Sequence, residues 1–357
     1  MRAKGNYISS DHYFVLNTGH KIPAVGLGTW QADGDICTEA VRTALQVGYR
    51  HLDCAHLYGN EVEVGQALSE ALNGGVPGLK REDVFVTSKL WCTTNAPKRV
   101  ETSVKVCLKN LGLSYLDLYL VHWPVTFSFG DATDPPRKPG IELRQPSRLK
   151  ATWQAMECLL EKGLVNAIGV SNFCIQQIEE LLSFAKIIPA VNQVELHPFW
   201  RQDDLLKFCQ AKGIHVSAHT PLGVPVTNPL SNECGSSGDD ECETPRIAFR
   251  RCRSVHAPML KTSVVSNIAA RLNKTPEQVI LRWGLQRGTS VLPRSLRPDR
   301  IKTNFDILNW SLSEVDWKKI NSLEPQLRLI DSGYSYISET GPLQAVQEID
   351  DDIEAGI

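Results

Sequence analysis

Two hydrophobic periods alternate along this chain from about Tyr13 to Leu323. Apolar, β-branched runs of strand length recur at Ala24–Thr29, Tyr49–Cys54, Val84–Lys89, Leu116–His122, Asn166–Val170, Val191–Glu195, Ile214–Ala218 and Ser290–Pro293. Between them lie stretches of helical period: ICTEAVRTALQVG, EVEVGQALSEAL, APKRVETSVKVCLKNLG, LKATWQAMECLLEKG, IQQIEELLSFA, QDDLLKFCQAKG and TPEQVILRWGLQRG. In the third of these, Val100, Val104, Cys107, Leu108 and Leu111 fall on one helical face. A short hairpin, YFVLNTGHKIPAVG with Thr18-Gly19 at its turn, precedes the series.

Strands that alternate with helices in this way predict an α/β fold, a closed (β/α)8 TIM barrel. An open doubly wound sheet is the alternative, but GLGTWQ after the first strand lacks the G-x-G-x-x-G turn such sheets usually carry. One barrel domain is expected over 1–357, with its core at about 13–323. A long loop at 224–258 and a C-terminal loop and acidic tail at 324–357 would be appended to it.

Composition narrows the class. With 357 residues and 42% hydrophobic content, the chain can bury a large core. Its net charge of −2 gives no reason to expect nucleic acid or an anionic membrane surface as partner. No apolar run approaches the roughly 18 residues a membrane span needs. MRAKGNYISSDHYFVLN lacks the apolar core of a secretory signal, so a cytoplasmic protein with reduced thiols is expected. The ten cysteines are dispersed, and Cys234, Cys242 and Cys252 lack the spacing of a zinc knuckle, so no metal is expected. Nothing demands oligomerisation, and a monomer is expected.

Polar residues at strand ends carry the candidate chemistry. Asp53, Lys89 and His122 close three different strands, and Tyr58 follows Asp53 by five residues. In a barrel such ends converge on one mouth, where catalytic groups collect. A free Tyr titrates near ~10 and is a weak acid at neutral pH. A nearby ammonium is expected to lower that value, and a carboxylate can anchor the ammonium. The set therefore supplies a general acid (Tyr58), its activator (Lys89), the activator's anchor (Asp53) and an orienting imidazole (His122). After the eighth strand, PRSLRPDR places Arg294, Ser295, Arg297 and Arg300 where barrels commonly bind phosphate. Three guanidinium groups there favour a nucleotide bearing a 2′-phosphate. Trp30, Trp91 and Trp123 each follow a strand and are candidate pocket walls. Phe127 and Phe129 are candidate lids, and His56 is a loop residue near the mouth.

VGLGTW, DCAHLY, SKLW, LVHWP, GVSNF, NQVELHP and VLPRSLRPDRIKTNF together resemble an aldo-keto reductase, in that family's order. HKIPAVGLGTW, FVTSKLWC and LRWGLQRGTSVLPRS are most similar to its plant aldose-reductase-like branch. The resemblance implies a barrel that binds NADPH in an extended pose and reduces the carbonyl of a small molecule. It makes Tyr58 the general acid, supported by Lys89 and Asp53, with His122 orienting the carbonyl. Ser171, Asn172 and Gln193 would hold the nicotinamide carboxamide. Thr29 and Trp30 would line the cleft, with Trp91 and Trp123 beside them. Asp53, His219, Thr220, Leu222, Arg294, Ser295, Arg297, Arg300 and Asn304 complete the implied cofactor set.

One position departs from the pattern. Where most members place a nicotinamide-stacking Tyr followed by Ser, this chain has His219 and Thr220. A protonated His219 would repel an oxidised nicotinamide, so cofactor affinity is expected to tilt with pH. A similar His-Thr pair occurs in plant reductases of hexose phosphates, which keeps aldoses and sugar phosphates as alternative substrates. A regulatory barrel that binds nucleotide without turnover is the alternative of another class, and the complete Tyr–Lys–Asp–His set argues against it.

Overall fold

The computed structural model describes residues 12–32, 34–126, 146–223 and 259–330. Two short antiparallel strands, β1 (Tyr13–Val15) and β2 (Lys21–Pro23), form the opening hairpin, and Gly19 takes a φ of 83° in its turn. Eight parallel strands follow: β3 (Leu27–Gly28), β4 (His51–Asp53), β5 (Phe85–Leu90), β6 (Leu118–Val121), β7 (Ile168–Ser171), β8 (Val191–Glu195), β9 (His215–His219) and β10 (Ser290–Leu292). They pair in chain order. The sheet closes on itself where Val25 bridges Val291 and where Gly26 and Gly28 donate their amides to Val291 and Pro293. The expected (β/α)8 barrel is the observed fold, and every expected strand is present within a few residues.

Each strand is short and buried on both faces, as a parallel sheet sheathed in helices requires. Helices α1 (Gly34–Val47), α2 (Glu61–Glu70), α3 (Pro97–Leu111), α4 (Pro146–Glu161), α5 (Ile175–Leu182), α6 (Asp203–Ala211) and α8 (Pro276–Gln286) match the helical-period stretches. In α3, the five residues of the apolar face are all buried, Pro97 opens the helix and Gly112 closes it in the left-handed region. Thr275 and Gln278 cap the start of α8 reciprocally. Three further helices lie outside those stretches: α7 (Ser263–Leu272), α9 (Pro298–Phe305), which starts in the basic run after the eighth strand, and α10 (Glu314–Asn321).

The hairpin plugs the N-terminal end of the barrel, with Phe14 fully buried and its ring 4.8 Å from that of His215. Gly26 is required there, because a Cβ would lie 2.7 Å from Nδ1 of His51. The opposite, C-terminal end is left open for the site. Strand register decides what meets at that end: Gly28 pairs with Asp53, Asp53 with Thr87, Lys89 with Leu120 and Ser171 with Gln193. Among the described residues no helix is long and apolar enough to cross a membrane.

Candidate active site

A cleft of about 940 Å³ opens at the C-terminal end of the barrel. Asp53, Tyr58 and His122 line it, and Lys89 lies buried beneath them. Lys89 is completely buried, and its ammonium donates to both Asp53 oxygens (2.9 and 3.0 Å), to the Cys54 carbonyl (2.8 Å) and to the Tyr58 hydroxyl (3.2 Å). Tyr58 ends a single 3-10 turn, His56–Tyr58, that Gly59 terminates in the left-handed region. His122 sits just past β6, its ring edge-on to Tyr58 at 6.0 Å and to Trp91 at 5.3 Å. Gln193 donates to Asp53 at 2.7 Å, so the anchor carboxylate is held from two sides.

Burial alone would lower the Lys89 pKa, but Asp53 and Tyr58 together carry it above the ordinary lysine value. Lys89 therefore stays charged. Tyr58 departs from the sequence expectation: its pKa is pushed up to about 12. Burial of the phenol is the largest cause, and the opposing pull of Lys89 is weakened because Asp53 already balances that ammonium. His122 is held well below the usual histidine range by burial, with Lys89 and His219 adding to the effect. At neutral pH the site thus holds a protonated phenol, a neutral imidazole and one compensated ion pair.

The rim joins the ends of β7, β8 and β9. Asn172 donates its amide to the His122 carbonyl (3.0 Å) and to the Ser171 hydroxyl (3.1 Å). Its oxygen lies 3.0 Å from Nε2 of His219, whose Nδ1 lies 3.0 Å from the Thr220 hydroxyl. An amide oxygen only accepts, so Nε2 carries the His219 proton and Nδ1 accepts from Thr220. Burial pushes the His219 pKa down to about 4, so the ring is neutral at physiological pH and the expected pH tilt from a charged His219 is absent there. Thr220 holds a φ of 52°, a strained region for a β-branched residue, and Asn172 holds 64°.

Most of the expected residues converge on the cleft. Trp30, Asp53, Tyr58, His122, Trp123, Ser171, Asn172, Gln193, His219, Thr220, Leu222, Arg294, Ser295, Arg300 and Asn304 all line it. Thr29 does not: it lies one layer back, buried, with its hydroxyl donating to the Asp53 carbonyl. Trp91 also stands behind the wall, packed on the His122 ring. Arg297 is not among the lining residues: at the exposed start of α9 it pairs at 2.7 Å with Asp299, which does line the cleft. Phe127, Phe129 and the 224–258 loop lie outside the described residues.

Several cleft residues carried no sequence signal. Lys261 reaches it from the 3-10 turn Met259–Lys261 before α7 and Glu277 from the start of α8, and Leu57 and Ile330 give it apolar walls. Ile330 is brought in by Glu195, a buried carboxylate that accepts the amides of Leu329 (2.6 Å) and Ile330 (2.8 Å) and faces Nε2 of His197 (2.9 Å). A carboxylate closing an apolar strand was the available signal for Glu195.

The sequence model of the Aldo/keto reductase family matches residues 24–325. The chain belongs to that family. Its relatives include Aldo-keto reductase family 4 member C11 of Arabidopsis thaliana, 42% identical over 94% of this chain and 96% of that protein. Aldo-keto reductase family 1 member A1 of Sus scrofa is 41% identical over 88% of this chain and 90% of its own length. The solved structure of the aldose reductase from Schistosoma japonicum superposes with a TM-score of 0.73 at 38% identity, covering 88% of this chain and 93% of that one. Membership in the aldo/keto reductase family agrees with the barrel and with the polar set at its mouth.

Proposed function

We propose that this aldo/keto reductase family member reduces aldehydes or ketones with NADPH, and that Tyr58 donates the proton. One observation carries the reading: the buried Lys89 ammonium joins Asp53 to the Tyr58 hydroxyl on the floor of a cleft that His122 also lines.

The donor set fits a phosphorylated dinucleotide. Amide and hydroxyl groups of Ser171, Asn172 and Gln193 line one part of the cleft, and Arg294, Ser295, Arg300 and Lys261 line another. Arg294 and Arg300 would hold the 2′-phosphate, and Asn172 and Gln193 the carboxamide. When bound, the reduced nicotinamide supplies hydride to the carbonyl carbon. The chain's own residues manage the oxygen. Tyr58 stays protonated at neutral pH, so it donates as negative charge grows on that oxygen. Lys89 then stabilises the phenolate left behind, the species its charge favours. His122, neutral, contributes a hydrogen bond without adding a competing charge. Trp30, Trp123, Leu57 and Ile330 favour an apolar or aryl carbonyl substrate.

Following NADPH absorbance with a simple aryl aldehyde tests the reading. The wild type should turn over, and Tyr58→Phe should lose ~10²–10⁴-fold of the rate while still binding NADPH. Near-normal turnover of Tyr58→Phe would remove Tyr58 from its role.

A further inference from the structure

Outside the cleft, three chemically different donors converge behind the turn that carries Tyr58. Nδ1 or Nε2 of His56, a carboxylate oxygen of Glu61 and Sγ of Cys107 all lie within 4.8 Å of one another. His56 opens the 3-10 turn, Glu61 opens α2, and Cys107 lies on the buried face of α3. We propose that His56, Glu61 and Cys107 form a binding site for a divalent transition metal of the zinc class, with water as the fourth ligand.

Imidazole, carboxylate and thiolate are the ligand types that borderline-soft metals take, and three protein ligands with one open position is an established zinc arrangement. Bonds of about 2.0–2.3 Å set the ligand atoms roughly 3.3–3.7 Å apart in a tetrahedron, so the cluster must contract by about 1 Å. His56 can supply that movement, since it is exposed on a one-turn element while Glu61 and Cys107 are fixed on packed helices. The same exposure gives the metal access from solvent.

The surroundings are those of a prepared ligand set. Glu61 accepts from the Ser88 hydroxyl at 2.7 Å and from the Asn110 amide at 3.4 Å, which orient its carboxylate. Its Oε2 is 3.8 Å from Nδ1 of His56. Cys107 is a buried thiol, and the metal would replace its proton on sulfur, releasing that proton to solvent. The sequence assigned no metal because these donors come from three elements and obey no spacing motif. An occupied site would fasten the turn that carries Tyr58 to α2 and α3.

Cadmium and zinc titrations of the full, reduced chain test the site without any turnover measurement. Cadmium should bind in one equivalent with a thiolate charge-transfer band in the ultraviolet, and zinc should displace it. Cys107→Ala should abolish the band. Asn110→Ala should weaken binding by ~10–100-fold and His56→Ala by at least as much. His56 is exposed, so its substitution leaves folding intact and decides the question even if Cys107→Ala is unstable. A band undiminished in Cys107→Ala, or unchanged affinity in His56→Ala, would overturn the assignment, including the case in which Cys234, Cys242 or Cys252 carries the metal.

Discussion

Replacing Lys89 with Met separates the two tasks the ammonium performs. The side chain is completely buried and makes four donor contacts, two of them to Asp53. Met fills much of the same space but leaves the 3% exposed Asp53 carboxylate with the Gln193 amide as its remaining side-chain donor. Stranding one partner of a buried ion pair typically costs ~3–5 kcal/mol. The double variant Asp53→Asn/Lys89→Met removes the uncompensated charge and should regain most of the stability, yet remain inactive because Tyr58 has lost its neighbour. Urea unfolding gives the free energies and NADPH oxidation the rates. If Lys89→Met unfolds within ~1 kcal/mol of the wild type, the buried pair is not the anchor described here. If the double variant turns over normally, Lys89 does not serve Tyr58.

Arg300→Ala should weaken NADPH by about 10–100-fold, the worth of a charge-assisted hydrogen bond of ~1.5–3 kcal/mol, and leave NADH nearly unchanged. Arg297→Ala should do far less, because Asp299 already occupies that guanidinium; equal losses for both cofactors would refute the phosphate assignment. Glu195→Gln replaces an oxygen that accepts backbone amides with a donor, so the Gln326–Ile330 segment should be cleaved faster in limited proteolysis and KM for aryl carbonyls should rise more than kcat falls. Unchanged cleavage and KM would show that the segment is held elsewhere. His51, His215 and His219 have pKa values lowered by burial from 6.5 to about 4, 3 and 4. The unfolded chain binds their protons first as pH falls, so stability is lost below about 6.5, by up to ~1.4 kcal/mol per pH unit for each group. His215→Gln should flatten that dependence, and an unaltered slope in chemical unfolding would contradict it.

The repeating architecture was legible because each element carries its own period. Val100, Val104, Cys107, Leu108 and Leu111 read as one helical face and are buried as one. The three helices outside the periodic stretches follow from context. α7 comes after the long atypical stretch at 224–258, α9 is nearly all polar, and α10 offers few apolar positions. α7 does bury an apolar face of Val265, Ile268 and Ala269, whereas α9 and α10 rest more on packing and capping, as with the Ser313 cap on α10.

Sequence alone determined which groups could do chemistry. A Lys, an Asp and a His at the ends of apolar strands are too unfavourable to bury unless they are paired, and their spacing put them at one barrel mouth. Tertiary structure decided how those groups behave, because pKa values and partners depend on everything within a few ångströms. Tyr58 was expected to be acidified by Lys89, but burial and the Asp53 counter-charge raise it instead. His219 looked titratable and is held neutral mainly by burial of its ring. Arg297 was expected beside Arg294 and Arg300, and in the fold it stands outside the cleft lining and pairs with Asp299. Cys107 stands far along the chain from His56 and Glu61, and only the folded protein brings its sulfur to their donor atoms.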